Sequence, residues 1–520
     1  MWILVALMLV LLFHWYGTRN FYYWRDRNVA HDSPIWLFGN NCRNYLQQRS
    51  ITEMAVDAYQ RYPNEKIVGF FRNTRPELVI RDPEIARRIL TTDFLSFYPR
   101  GLNPHKRVIE PLLRNLFFAD GDVWRLLRTR MTPAFTSGKL RGMFPLVAAR
   151  AARLQATLAA AAARPRDARD LMARYTTDFI GAVGFGLDAD SLNDPDSPFR
   201  KLGTKIFKVK FWDFVVVVLK ELFREPCKHL KYLKRIEREL IDLVQGILNQ
   251  RNHTPSGRND FIDLMLECQI KGTIVGESIE NIDSEGKQTI PTSLELTDEL
   301  IAAQVFVFFA AGFETSSSAT SFTLHQLAYH PEIQLKVQAE IDSVLAKYDN
   351  KLTYDSIKEM NYLECAFKEG MRMFPSLGFL IRESARPYTF TDLGVSIDPE
   401  VGIFIPLQAL HNDPRYFPEP EQFRPERFLP ENFTELQKSV YMPFGEGPRM
   451  CIGARLGLMQ SLAGLAAVLS VCSVSPAPST RRHPLVDPSG TIVQTLKHPL
   501  TLIFTRRSDI NPKNNEDKQI

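Results

Sequence analysis

Apolar positions keep a helical spacing over most of this chain and give way to short strand-like runs in a few places. Residues 53–62 and 82–92 carry apolar side chains three and four apart, as a helix with one buried face requires. Between them "KIVGFF" and "ELVI", joined by the polar "RNTRP", predict two short strands. Helical spacing returns over 139–186, with an alanine-rich run at 148–163, and again from about 225 to 340. The polar stretch "KGTIVGESIENIDSEGKQTIPTS" interrupts this second block and reads as a loop.

One helix dominates the pattern. Thr297 stands as N-cap before Asp298 and Glu299, and the spacing runs to His330, where Pro331 ends it. About 33 residues make a helix of roughly 50 Å. Its apolar run "IAAQVFVFFAAGF" is too short to span a bilayer, so the helix is expected to thread the core. Beyond residue 375 prolines accumulate among short strands and turns. "LGLMQSLAGLAAVLSV" predicts a last helix, and "NPKNNEDKQI" a disordered polar end.

The first eighteen residues, "MWILVALMLVLLFHWYGT", hold no Asp, Glu, Lys or Arg. As a helix they measure roughly 27 Å, enough for a thin bilayer. Aromatic residues crowd the exit (Trp15, Tyr16, Phe21, Tyr22, Tyr23, Trp24), and Arg19, Arg25 and Arg27 follow. Both features suit a membrane anchor at 1–18 whose following body stays cytosolic. A cleaved signal peptide would bring a basic start and a small-residue cleavage site, and neither is present. The expected organisation is therefore an anchor (1–18), an interfacial linker (19–40), one large body (41–507) and a polar tail (508–520).

Composition narrows the function. The 520 residues are 45% hydrophobic and 24% charged, as a globular protein with a large core requires. A net charge of +5 and the lack of a basic, aromatic-interleaved block speak against nucleic acid. Six cysteines stand far apart with no CxxC pair, which points to neither a disulfide framework nor a zinc knuckle and fits a reducing compartment.

One cysteine is singular. "FGEGPRMCIG", residues 444–453, places Cys451 among Gly445, Gly447 and Gly453, with Arg449 two residues before it. A thiolate is a soft iron ligand, and as an axial ligand to haem it favours O–O cleavage. Glycines let the backbone wrap the sulfur and turn N–H groups toward it, and an arginine suits a haem propionate. A buried structural cysteine is the alternative. The pattern F-G-x-G-x-R-x-C-x-G fixes six positions, and a chance match over the whole chain is on the order of a few per million.

With that loop the chain resembles the haem-thiolate monooxygenases, the cytochromes P-450. The resemblance extends over most of residues 30–507, because further motifs follow in the family's order. "EGMR" (Glu369–Arg372) and "PERF" (Pro425–Phe428) resemble the family's buried ionic triad, here Glu369, Arg372 and Arg427. "AGFETS" in the long helix resembles the dioxygen-side motif, in which Glu314 and Thr315 would help deliver protons and Ala311 would lie against haem. Gly312 costs about 1 kcal/mol against alanine inside a helix, which suggests that haem and dioxygen come close there. Thr315 would otherwise bond back to the carbonyl at 311. Trp124 and Arg128 of "WRLLR", and Arg382 of "FLIRE", resemble propionate contacts. Phe444, Arg449 and Gly453 complete the expected haem site, and Cys451 is its expected metal ligand.

The resemblance implies a mainly α fold with a smaller β-rich part near the N-terminus, and haem b between the long central helix and the cysteine loop. It implies O₂ and NADPH as co-substrates, with electrons delivered by a membrane-bound NADPH–cytochrome P-450 reductase and possible support from cytochrome b5. It implies a lipophilic substrate and an endoplasmic-reticulum membrane. Phe117, Phe118, residues 205–223, Phe308, Leu377–Leu380 and Thr495 would shape the pocket, with "FWDFVVVV" (211–218) an alternative membrane-facing surface. The loop and "FVFFAAGFETSS" look most like insect microsomal enzymes of xenobiotic, insecticide and hormone metabolism. Two departures stand out: a single proline in 31–40, and "FPSL" where a proline pair is common. A haem-thiolate isomerase or dehydratase, and a non-catalytic haem-binding membrane protein, remain as alternatives.

Overall fold

Thr297 caps the longest helix in the molecule, as its sequence predicts: its hydroxyl accepts the Leu300 N–H at 3.2 Å. The computed structural model describes residues 1–510 apart from 161–162, 187–189, 195–196, 208–209, 259, 282–289 and 491. Most of the polar end expected to be disordered, 511–520, therefore lies outside the described residues, as does part of the polar stretch at 271–293.

The helices that matter here are α1 (Trp2–Thr18), α2 (Ile51–Arg61), α3 (Pro83–Leu90), α4 (Gly121–Met131), α5 (Ser137–Ala159), α6 (Ala168–Ile180), α7 (Phe211–Leu222), α8 (Lys234–Gln250), α9 (Phe261–Ile270), α10 (Asp298–Tyr329), α11 (Pro331–Lys347), α12 (Asn361–Met373) and α13 (Ala454–Val471). The strands that matter here are β1 (Ile67–Arg72), β2 (Arg75–Ile80), β3 (Arg164–Asp167), β4 (Ile274–Glu277), β5 (Pro291–Leu294), β6 (Leu380–Glu383), β7 (Gly402–Ile405), β8 (Cys472–Pro476) and β9 (Thr501–Arg506).

α10 is buried almost all round, from Leu300 to Ala328. A helix without a polar face belongs inside a core, and α5, α6, α8, α9, α12 and α13 supply much of that core with it. By length and composition α10 and α13 could each cross a membrane, yet most of both is buried within the protein. α10 stops at Tyr329 because His330 leaves helical geometry and Pro331 opens α11.

The main sheet has the order β1-β2-β7-β6. β1 and β2 pair antiparallel from Ile67↔Ile80 to Arg72↔Arg75, β2 runs parallel to β7, and β7 antiparallel to β6. Half of this β-rich part is thus recruited from residues 380–405. A second sheet, β8-β9-β3, interrupts the helical block expected at 139–186. β3, "RPRD", has no strand-like pattern of its own and is extended because β9 pairs with it. The expected loop at 271–293 also needs correction. Ile274 pairs with Leu294 and Glu277 with Pro291, so "IVGE", opened by the β-branched Ile274 and Val275, forms one arm of a two-stranded ladder.

Residues 19–40 are not a free linker. Trp24 is 0% exposed and donates its indole N–H to the Phe70 carbonyl at 3.0 Å. Val29 and Leu37 are buried, and His31 bridges Gly69. The aromatic cluster read as an interfacial belt therefore divides: Trp15 and Tyr22 are exposed, whereas Trp24 belongs to the sheet's core.

Deleting residues 1–18 should leave stability to denaturant near that of the full chain. Deleting 1–28 removes Trp24 and should cost about 3–5 kcal/mol, the usual loss on emptying a buried tryptophan site. Equal unfolding midpoints for the two truncations would disprove the assignment of Trp24 to the core.

Candidate functional site

The cysteine loop owes its shape to two glycines in left-handed conformation, Gly445 (φ 71°) and Gly447 (φ 74°). A side chain at Gly447 would run into the Leu90 carbonyl at the end of α3, so the loop is clamped there. Cys451 donates its backbone N–H to the Phe444 carbonyl at 2.8 Å, closing the turn. Gly453, the residue before α13, points its N–H at the Cys451 sulfur. Cys451 is classed as exposed, yet burial pushes its thiol up, against the Gly453 N–H and the charges of Arg128 and Arg100, which pull it down. The residue is thus accessible although protein surrounds its thiol.

The long helix carries a matching irregularity. In the middle of its buried run Ala311 is exposed, and Ala310, Gly312 and Thr315 are half-buried, so one turn opens as a notch. The Thr315 hydroxyl donates to the Ala311 carbonyl at 2.7 Å. α13, which follows the cysteine loop, reaches the same turn through Gln460, whose amide donates to the Gly312 carbonyl at 3.3 Å. Loop and notch are thereby fixed to each other.

Two residues of the motif behave differently from expectation. A Cβ at Gly312 would strike Ile180 of α6, so close helix packing accounts for this glycine, and the approach of haem and dioxygen is not needed to explain it. Glu314 is buried and engaged by Arg169 of α6. Of the neighbouring pair Glu314 and Thr315, Thr315 is the one that opens on the notch.

Beside the loop lies a buried cluster of positive charge. Arg449 contacts Asp120 at 3.0 Å, donates to the Ala119 carbonyl at 2.5 Å and stacks 4.5 Å from the Trp124 ring centroid. Arg100 donates to the Arg449 carbonyl at 3.2 Å, and its own N–H and that of Gly101 bind Asp120. Arg382 is buried as well. Burial lowers Arg382 to about 9 and Arg100 to about 10, and holds Arg449 well below its usual range; Arg100 lowers the other two further. Three guanidiniums face one carboxylate. Among the described residues Arg449 Nε and Nη1 and Arg382 Nε have no hydrogen-bond partner. Arg128 lies close enough to repel Arg100 and donates to the Met450 carbonyl at 2.9 Å next to Cys451.

The triad residues do meet. Arg372 binds Glu369 through two bonds, at 2.7 and 3.0 Å, and Arg427 joins at 3.3 Å. Glu369 and Arg372 are 0% exposed. The remaining Arg372 donors go to the carbonyls of His411 and Pro420.

The family model for cytochrome P450 matches residues 30–503. The chain belongs to the cytochrome P450 family. It is 36% identical over 511 residues to cytochrome P450 6B6 of Helicoverpa armigera, covering 95% of this chain and 97% of that protein. It is 36% identical over 479 residues to cytochrome P450 6B1 of Papilio polyxenes (91% and 94% covered). Its identity to probable cytochrome P450 6a20 of Drosophila melanogaster is 34% over 481 residues (89% and 92%). This P450 is accordingly a haem-thiolate monooxygenase with haem b, and O₂ and NADPH are its co-substrates. The isomerase and the non-catalytic alternatives give way to that assignment.

The residues present fit haem b. Arg100, Arg382 and Arg449 exceed Asp120 by two positive charges, which matches the two propionates, and the orphaned N–H groups supply donors. No motif in the sequence singles out Arg100, Asp120 or Gln460. Arg100 sits in "FYPRG", where the following Gly101 (φ 63°) marks a tight turn but nothing marks a ligand. Phe308, expected to shape the pocket, is half-buried and packs between Phe135 and Phe261, with centroids at 5.4 and 4.1 Å. A cavity of about 1400 Å³ opens between the end of α1, residues 98–107 and the end of α7. It reaches Ala119 and Asp120 beside Arg449, but neither Cys451 nor Thr315 lines it, so it is not the reaction site.

Glu369→Ala leaves Arg372 and Arg427 buried without their shared carboxylate. It should cost about 3–5 kcal/mol in denaturant unfolding. A loss below 1 kcal/mol would mean that the triad is dispensable for stability.

Proposed function

We propose that Cys451 supplies the axial thiolate and that Arg100, Arg382 and Arg449, with Trp124 stacked on the last, hold the propionates. Arg128 would steady the loop through the Met450 carbonyl. The observation carrying this reading is the buried surplus of arginine charge, with unpaired N–H groups, beside an accessible cysteine. The net reaction is RH + O₂ + 2e⁻ + 2H⁺ → ROH + H₂O. Bound haem would supply the redox-active iron at which dioxygen is activated.

The chain's own task is to deliver protons. The Thr315 hydroxyl gives its hydrogen to the Ala311 carbonyl, which leaves its oxygen able to accept a bond from a water in the notch. Glu314 can contribute a proton only after its pairing with Arg169 opens. Electrons would come from NADPH through NADPH–cytochrome P-450 reductase, with cytochrome b5 as a second donor, docking on the cysteine side.

A lipophilic substrate suits this family, and the likeness to insect relatives favours hormones, xenobiotics or insecticides. The exposed apolar α1 supports residues 1–18 as an anchor, with 508–520 as a tail beyond the catalytic domain. Phe211 and Trp212, 72% and 73% exposed on α7, would add a second contact with the bilayer. Arg19, Arg25 and Arg27 support an endoplasmic-reticulum location with the body on the cytosolic side.

Cys451→Ala should abolish the red-shifted Soret band of the reduced carbon monoxide complex, and an unchanged band would remove Cys451 as ligand. Thr315→Ala should keep haem and NADPH consumption while sending much of the electron flux to hydrogen peroxide. The substitution leaves a small cavity and a better helix former. An unchanged ratio of product to NADPH would strike Thr315 from the catalytic residues.

A further inference from the structure

The turn of α10 that bears the notch is loaded with extra hydrogen bonds. From Ala311 to Ala319 every carbonyl accepts a side-chain donor, and the first five belong to the turn at the notch. Thr315 binds that of Ala311 (2.7 Å), Gln460 that of Gly312 (3.3 Å) and Thr176 that of Phe313 (3.0 Å). Ser317 binds that of Glu314 (3.1 Å) and Ser376 that of Thr315 (2.9 Å). The last differs from the rest because it grips the very residue whose hydroxyl faces the notch. Side-chain donors at helix carbonyls weaken the ladder and bend it, so such a turn depends on its outside partners for its shape.

Ser376 is itself held. It lies between α12 and β6, where Pro375 prevents α12 from continuing. Its carbonyl accepts the Gln494 N–H at 2.8 Å. The Gln494 amide donates to the Pro375 carbonyl at 2.7 Å and to Gln408 at 3.0 Å, and Gln408 donates to the Met373 carbonyl at 3.0 Å. The hydroxyl therefore stands on a fixed frame, and "FPSL", the departure noted in the sequence, puts a hydrogen-bond donor where proline would have none.

We propose that Ser376 is a positioning residue for the monooxygenase reaction: by fixing the Thr315 carbonyl it sets the rotation of the helical turn that aims the Thr315 hydroxyl into the notch. This rests on Thr315 handling protons. Without the Ser376 bond that turn relaxes toward ordinary helix, Thr315 spends less time aimed at the dioxygen side, and electrons leave as hydrogen peroxide.

The test uses the full-length, haem-loaded protein with reductase and any accepted substrate, comparing wild type, Ser376→Ala, Ser376→Thr, Ser376→Cys and Thr315→Ala. Two quantities are read: hydrogen peroxide released per product formed, and amide hydrogen exchange over residues 315–320 without turnover. Ser376→Ala should raise peroxide per product about fivefold, the factor that one hydrogen bond of about 1 kcal/mol commands, and should speed exchange across that turn. Ser376→Thr, which keeps the hydroxyl, should stay near wild type. Ser376→Cys fills the same space with a weak donor and should follow alanine, so it carries the test if Ser376→Ala fails to hold haem. If Thr315→Ala diverts flux while Ser376→Ala and Ser376→Cys do not, the proposal is overturned and the role of Thr315 stands. If Thr315→Ala diverts nothing, that role falls and the proposal with it. Equal peroxide from the alanine and threonine variants would show that the hydroxyl is not the cause.

Discussion

Glu369 is the pivot of this structure: one carboxylate with no exposed surface, shared by two guanidiniums. A charge this deep is tolerated only when every lone pair and proton has a partner. Here the partners come from far apart in the chain. Arg372 stands one turn along α12, Arg427 lies in the "PERF" turn, the Arg424 N–H also binds Glu369, and Arg372 reaches the carbonyls of His411 and Pro420. Satisfying one buried carboxylate thus fixes the path of residues 411–427, the stretch that leads toward the cysteine loop. Such a pair adds little net stability compared with apolar packing, but it admits few alternative arrangements.

The comparison with the second arginine cluster shows what separates a structural charge network from a binding one. Both carry more positive than negative charge. Around Glu369 the surplus is absorbed by backbone carbonyls and the Asn412 side chain. Around Asp120 it is not: Arg449 and Arg382 keep buried N–H groups unpaired, and mutual repulsion adds to burial in disfavouring their charged forms. An unsatisfied donor of this kind costs about 1–3 kcal/mol and more when charged, so it persists where a ligand satisfies it. The propionate assignment therefore follows from the deficit of partners and not from arginine content alone.

What could be read from the sequence follows the range of the interactions involved. The ends of α10 rest on Thr297 and Pro331, and the cysteine loop on glycines within ten residues, so local chemistry was enough. The Glu369–Arg372 pair is legible from its helical spacing on α12, whereas Arg427 enters only through the resemblance of "PERF" to the family's motif. Trp24 was misread because an aromatic beside an apolar segment looks the same whether it faces lipid or a sheet, and Gly69, against which it packs, is 45 residues away. Gly312 was assigned the wrong cause because a glycine in a helix signals close approach without saying of what. β3 carries no strand pattern since its conformation comes from β9. Arg100 had no motif, and only the fold brings it to Arg449.

The notch illustrates how such long-range contacts make a site. α6 meets α10 at Gly312 through Ile180, at the Phe313 carbonyl through Thr176 and at Glu314 through Arg169. α13 holds the Gly312 carbonyl through Gln460, and the segment after α12 holds that of Thr315 through Ser376. Three elements, separated by up to about 300 residues of chain, converge on four residues. Two of the three are tied in turn to the expected haem site: α13 begins at the cysteine loop, and α12 carries Glu369 and leads through Ser376 to Arg382. The turn around Thr315 and the cysteine loop are thus held to one another by packed protein. The glycine at 312 eases this convergence, because a Cβ there would meet the Ile180 side chain of α6 and force it to shift.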